Sequence, residues 1–208
     1  NTAKFIKKLV EGVKRCNLLV KAFKDILKLD FSSREKGKHF QDRIVSILIE
    51  KIGKHNRLEK EIITEPNGSQ KFPDIILKGW RTDINIEIKR SGKGQIMWNE
   101  GFPKNGPNIY ILNGHTELGR GREKTLTAGT TFFLGNSVIN VDEENMLNEI
   151  KIKLKEVTRE YVEIAPRKWK LSYLRPQFLE IDPQERSYLI HENRKIRELE
   201  VLKFLSEV

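Results

Sequence analysis

The sequence predicts an α/β fold: a central mixed sheet of about five strands flanked by helices. Three observations predict it. β-Branched runs bounded by turn residues cluster in the middle of the chain. Amphipathic segments with helical spacing lie before and after them. No long linker divides the 208 residues, a length that suits one domain over 1–208.

Taken in order, Thr2 to Leu29 reads as a basic amphipathic helix. Its apolar stripe is Phe5, Leu9, Val13, Cys16, Leu19, Val20, Phe23, Ile26 and Leu27, and lysines fill the other face. A polar break with Ser32 and Ser33 follows. Lys36 to Ile52 reads as a second helix on Phe40, Ile44, Val45, Leu48 and Ile52. Glu61 to Thr64 is a short strand, Glu65-Pro66-Asn67-Gly68 a turn, and Phe72 to Leu77 a second strand. Asp83 to Lys89 is a third. Arg90 to Asn108, rich in glycine and proline, reads as loop with a short helix around Gln95 to Trp98. Ile109 to Leu112 is a strand, Asn113 to Ala128 a polar glycine-rich segment, and Thr130 to Leu134 and Ser137 to Val141 further strands. Asp142 to Tyr161 is a helix capped by Asp142, with Glu143 and Glu144 in its first turn. Trp169 to Ile181 reads as a strand broken by Pro176. A helical region closes the chain at about 183–208.

Thirty-nine Lys and Arg against 29 Asp and Glu give a formal charge of +10. Such an excess is an electrostatic footprint for a polyanionic partner. Cys16 is the only cysteine, which excludes an intrachain disulfide or a cysteine-based zinc site and suits a reducing, cytoplasmic location. No apolar run approaches a membrane span, so no membrane partner is expected. The four histidines, at 39, 55, 115 and 191, have no metal-ligand spacing. Gly119-x-Gly121 lacks the third glycine of a dinucleotide fingerprint, and no organic cofactor is expected. The chain begins at Asn1 rather than methionine, which leaves room for residues upstream.

The third strand carries the chemistry. Side chains alternate along a strand, so Ile84, Ile86 and Ile88 share one face, and Asp83, Asn85, Glu87 and Lys89 share the other. By itself this is also the pattern of an amphipathic surface strand. The preceding strand adds Asp74, which hairpin pairing can set beside Glu87. Pro73 lacks a ladder donor and marks a bend where Asp74 leaves regular pairing.

Pro73-Asp74 followed by Glu87-Ile88-Lys89 resembles the PD-(D/E)xK nuclease superfamily, which includes many type II restriction endonucleases. The resemblance covers about 36–112, the expected catalytic core. It implies a restriction-endonuclease-like core and Mg²⁺-dependent hydrolysis of double-stranded DNA. It implies that Asp74, Glu87 and the carbonyl of Ile88 bind the metal. Two close carboxylates suit Mg²⁺, which prefers oxygen ligands and keeps several waters. Lys89 would orient or deprotonate the attacking water. The helix before the strands often adds a glutamate after an aromatic residue; here that position is Gln41, a departure, with Asp42 and Glu50 as substitutes. A homodimer is expected, since a twofold protein matches a palindromic site, with the final helix either at its interface or in the core. The competing readings are a junction resolvase, repair or transposase nuclease on the same core, and a non-catalytic DNA-binding module.

Residues expected to meet DNA lie beyond the motif. Gln95 and Asn99 follow Lys89 in a run like the one that follows the motif in restriction enzymes. From Gly101 to Lys124, the residues Lys104, Asn113, His115, Arg120, Arg122 and Lys124 offer donors suited to bases and phosphates. Each is equally open to a plain role in a solvated loop. Trp80, Trp98 and Trp169 read as packing residues rather than base-stacking ones.

Overall fold

The computed structural model describes residues 2–53, 62–68, 71–91, 104–118, 125–164 and 188–208. It is an α/β protein with a five-stranded mixed sheet. The strands are β1 (Ile62–Thr64), β2 (Ile75–Leu77), β3 (Ile84–Ser91), β4 (Ile109–Leu118) and β5 (Thr125–Leu134). They lie side by side in sequence order. Three pairings are antiparallel, and β3 runs parallel to β4. Among the described residues the α-helices are α1 (Thr2–Ile26), α2 (Gly37–Leu48), α3 (Val141–Ile164) and α4 (Arg194–Glu207). Among the described residues no helix is long and apolar enough to cross a membrane.

One face of the sheet carries the main core. Ile75, Leu77, Ile84, Ile86, Ile109, Ile111 and Phe132 meet Leu19, Phe23 and Ile26 of α1, Phe40, Ile44 and Leu48 of α2, and Val201 and Leu205 of α4. The closing helix thus packs its apolar stripe into the core. It starts at Arg194, later than the sequence suggests, because residues 188–190 form a turn that Arg194 Nη1 holds through the carbonyl of Leu189 at 2.9 Å. The opposite face carries a smaller core of Tyr110, Leu112, Phe133 and Leu189, with Phe72, Val138 and Tyr188 against it.

Two expectations fail between residues 113 and 141. The polar segment after Leu112 is not loop: β4 runs on to Leu118 and pairs through its whole length with β5. Sequence polarity hides this, because Asn113, Thr116 and Thr130 satisfy their polar groups inside the structure. Gly114 is required where it stands, since a Cβ there would collide with the Ser91 carbonyl oxygen. Residues Ser137 to Val141 are not a strand. Gly135–Ser137 is a 3-10 turn, packed so closely on Lys104 that a Cβ at Gly135 would collide with its carbonyl. The cap of α3 is Asn140 rather than Asp142. Asn140 Oδ1 accepts the Glu143 amide at 2.8 Å, and Glu143 Oε2 accepts the Asn140 amide at 2.9 Å, a reciprocal capping box. The expected helix around Gln95 to Trp98 and the strand from Trp169 to Ile181 lie outside the described residues.

Candidate active site

The site forms where β2 ends beside β3. The pairing sets Ile75 opposite Ile86, so one step further Asp74 lies opposite Glu87. Asp74 precedes the first paired residue of β2, as Pro73 suggests. Its backbone stays anchored, since its carbonyl accepts the Glu65 amide at 2.8 Å. Its side chain then replaces a ladder bond: Oδ2 accepts the Ile88 N–H at 2.7 Å. This bond aims the Asp74 carboxylate at β3. The N–H and C=O of a strand residue point to the same side, so the Ile88 carbonyl also faces the gap where β2 has stopped.

Glu87 and Lys89 lie on one face of β3 by the alternation of the strand, and the parallel register sets them beside Tyr110 and Leu112. Lys89 Nζ donates to Glu87 Oε1 at 2.5 Å. The other carboxylate oxygen, Oε2, is buried and has no hydrogen-bond partner among the described residues. Buried polar atoms are rarely left so, and an acceptor oxygen in this state marks a place for a cation or a donor. Burial, the largest influence, raises the Asp74 carboxyl above its ordinary range, against the Ile88 amide and the Lys89 charge. Burial likewise raises Glu87; the Lys89 charge and the nearby Asp74 amide oppose it, and the Asp74 charge adds to it. Burial also raises the Tyr110 hydroxyl, which accepts the Lys104 amide at 2.7 Å.

Two carboxylates, one of them with an unpartnered buried oxygen, and a main-chain carbonyl form a set of hard oxygen donors. They fit a hard divalent cation such as Mg²⁺. Among the described residues no third His, Cys, Asp or Glu joins them in a metal-binding group. A pair of carboxylates is the protein share that Mg²⁺ commonly takes.

The structure brings Asp74, Glu87, Ile88 and Lys89 together. Gln41 stands apart. It is buried on the side of α2 that carries Phe40, Ile44 and Leu48, and its Nε2 has no partner. Of the two substitutes, Asp42 is exposed and lies 3.6 Å from Lys38, while Glu50 faces Lys51. Asp83 is exposed at the rim, 4.0 Å from Lys78.

The residues expected to meet DNA divide three ways. Gln95, Asn99, Arg120, Arg122 and Lys124 lie outside the described residues. Asn113 is corrected: it is fully buried, donates to Thr130 Oγ1 at 2.9 Å and accepts Arg90 Nε at 3.1 Å. Its amide braces the sheet and is closed to a base. Lys104 and His115 have structural neighbours of their own. Lys104 pairs with Glu144 at 3.3 Å, and the His115 ring packs 5.0 Å from Phe31.

Sequence reasoning missed Arg90. Next to Lys89, it stacks on Phe31 at 5.0 Å and donates to the Ser32 carbonyl at 2.6 Å and to Asn113. It clamps the end of β3 to the segment between α1 and α2. Its partners are remote in sequence, so no local pattern could reveal the clamp. Trp80 was read correctly as a packing residue: it lies against the main core, with Arg15 4.8 Å above its ring.

Comparison with known proteins adds no relative: no family model, curated protein or solved structure matches the chain.

Proposed function

We propose that this chain is a Mg²⁺-dependent endonuclease that cuts double-stranded DNA at specific sites, in the manner of a type II restriction enzyme. One observation carries the reading: Asp74 lies opposite Glu87, and Glu87 offers a buried unpartnered oxygen while Lys89 binds its other one. The resemblance of Pro73-Asp74 and Glu87-Ile88-Lys89 to the PD-(D/E)xK motif and the charge of +10 support it.

Asp74 and Glu87 would hold the cation, with the Ile88 carbonyl as a further oxygen. The cation, when bound, supplies positive charge to the scissile phosphate and lowers the pKa of water. The Ile88 N–H fixes the Asp74 carboxylate so that it need not reorganise. Lys89 is poised beside the carboxylates to orient a water and to offset charge that develops on phosphate oxygens. Tyr110 and Leu112 floor this face of β3 and keep the polar groups at its surface.

The test is direct. The protein is incubated with phage DNA and Mg²⁺, and the ends are sequenced. Discrete fragments with a common end sequence are expected. Cutting only of branched or nicked DNA would instead indicate a structure-specific nuclease, and intact DNA under all divalent cations would overturn the proposal.

A further inference from the structure

Lys89 stands on a stretch of β3 that is paired on one side only. The ladder with β2 stops at Ile86, and among the described residues only β4 runs on beside β3 to Ser91. Asp74 supplies one bond on the open side, at Ile88. The next fixed point is Arg90, whose side chain leaves β3 on the opposite face from Lys89. Its guanidinium is held from several directions. Nε donates to Asn113 Oδ1 at 3.1 Å and Nη2 to the Ser32 carbonyl at 2.6 Å, with Glu35 3.9 Å from Nη2. The Phe31 and Phe40 rings flank it at 5.0 and 5.8 Å. These partners belong to β4, to the connection between α1 and α2, and to α2 itself. The connection is fixed in turn: Thr130 Oγ1 donates to the Leu29 carbonyl at 2.7 Å, and Asn113 Nδ2 to the Asp30 carbonyl at 3.3 Å. Glu35 is held by Arg43 of α2 at 3.1 Å. Arg90 thus ties the end of β3 to a braced platform.

We propose that Arg90 is the positioning residue for Lys89. It stands in for the missing β2 neighbour at the end of β3, and so fixes where the Lys89 side chain leaves the strand. That side chain is a flexible stem ending in a point charge. Its ammonium meets Glu87 Oε1 only while the backbone at its root is held. A small rotation of the strand end carries the ammonium away from Glu87 and from the water it would orient. Misplacement by an ångström can cost a reaction about a hundredfold. The surroundings call for arginine and not merely for a cation. A planar fork donates to Asn113 and Ser32 together and lays a flat face on Phe31, which an ammonium cannot do at once. The part that Lys89 plays in cleavage rests on the nuclease reading; the hold of Arg90 on β3 does not.

Arg90→Lys in the full chain tests it, by two readouts. The first is amide hydrogen exchange without DNA. Exchange at Lys89 should quicken by about tenfold or more, as local opening at the strand end becomes easier, while Ile84 and Ile86 in the same strand keep the parent's rates. The second is single-turnover cleavage with Mg²⁺, at a temperature where denaturation curves show every variant folded. The rate should fall by about ten- to a hundredfold. DNA affinity measured with Ca²⁺ should stay within about twofold, since phosphate contacts are untouched. Val201→Ala is the control for lost stability alone: Val201 is buried in the main core on α4, and its variant should cut at the parent's rate. If Arg90→Lys does not fold, Phe31→Leu removes the ring beneath the guanidinium and should shift both readouts in the same direction. Unchanged exchange at Lys89, a parental cleavage rate in Arg90→Lys, or an equal loss of rate in Val201→Ala would overturn the positioning role. A parent that cuts no DNA would instead overturn the nuclease reading, and exchange at Lys89 would still decide whether Arg90 holds the strand.

Discussion

Two carboxylates set side by side in a partly buried cleft each lose hydration, and Glu87 also feels the Asp74 charge. That cost is visible in the raised carboxyl pKa values of Asp74 and Glu87. It has a definite sign. Below the ordinary values of 3.8 and 4.5 both groups are protonated whether the chain is folded or not, and they cost nothing. As pH rises past those values the unfolded chain releases its protons first. Stability therefore falls across the window up to the raised folded pKa values, then levels off. Asp74→Asn removes one charge, and its amide oxygen can still accept the Ile88 N–H. Its melting temperature should exceed the parent's at neutral pH, and the gain should vanish below pH 3.8. A gain that persists unchanged into acid would show that desolvated charge is not its source. The same variant should lose cleavage by at least about a hundredfold, as expected for removal of a preorganised charge-stabilising group. DNA binding measured with Ca²⁺ should stay within about tenfold, since phosphate contacts are untouched. Full cutting by Asp74→Asn would sink the site.

At the scale of elements, β2 and β3 were legible because their alternation is local. The isoleucines of β3 announce one face and Glu87 and Lys89 the other, while Pro73 places the end of β2. The β4–β5 hairpin was not legible. Its polar residues imitate a loop, and what satisfies them comes from afar: Thr130 Oγ1 donates to the Leu29 carbonyl at 2.7 Å, and Asn113 reaches the Asp30 carbonyl at 3.3 Å. Polarity in a sequence says that partners are needed, not whether water or protein supplies them. The same blindness made Asn113 look like a base reader. Asn113→Ala strips Arg90 and Thr130 of a buried partner and should cost about 1–3 kcal/mol of stability. Chemical denaturation measures this. The ratio of cognate to random DNA affinity should not change; a shift in that ratio with unchanged stability would return Asn113 to a reading role.

At the scale of the whole molecule, the proposed endonuclease would have to divide a charge of +10 between general attraction to DNA and sequence reading. Lys7, Lys14 and Lys21 recur every seven residues along α1, so they share one side of the helix, and all three are exposed. Lysine is a compact point charge with little directional information, which suits phosphate rather than a base edge. Arginine can grip guanine in two places, and Arg120 and Arg122 lie in the connection between β4 and β5. Replacing the three lysines by alanine should weaken binding to every duplex alike. It should flatten the salt dependence by up to about one unit per lost phosphate contact. Arg120→Ala or Arg122→Ala should instead weaken the preferred site more than random DNA, by about 1–3 kcal/mol of discrimination. Binding is compared on cognate and scrambled duplexes across salt, with Ca²⁺ in place of Mg²⁺ so that the DNA stays whole. If both arginine variants keep the parent's ratio, the β4–β5 connection does not read sequence, and the reader is sought from Gln95 to Asn99.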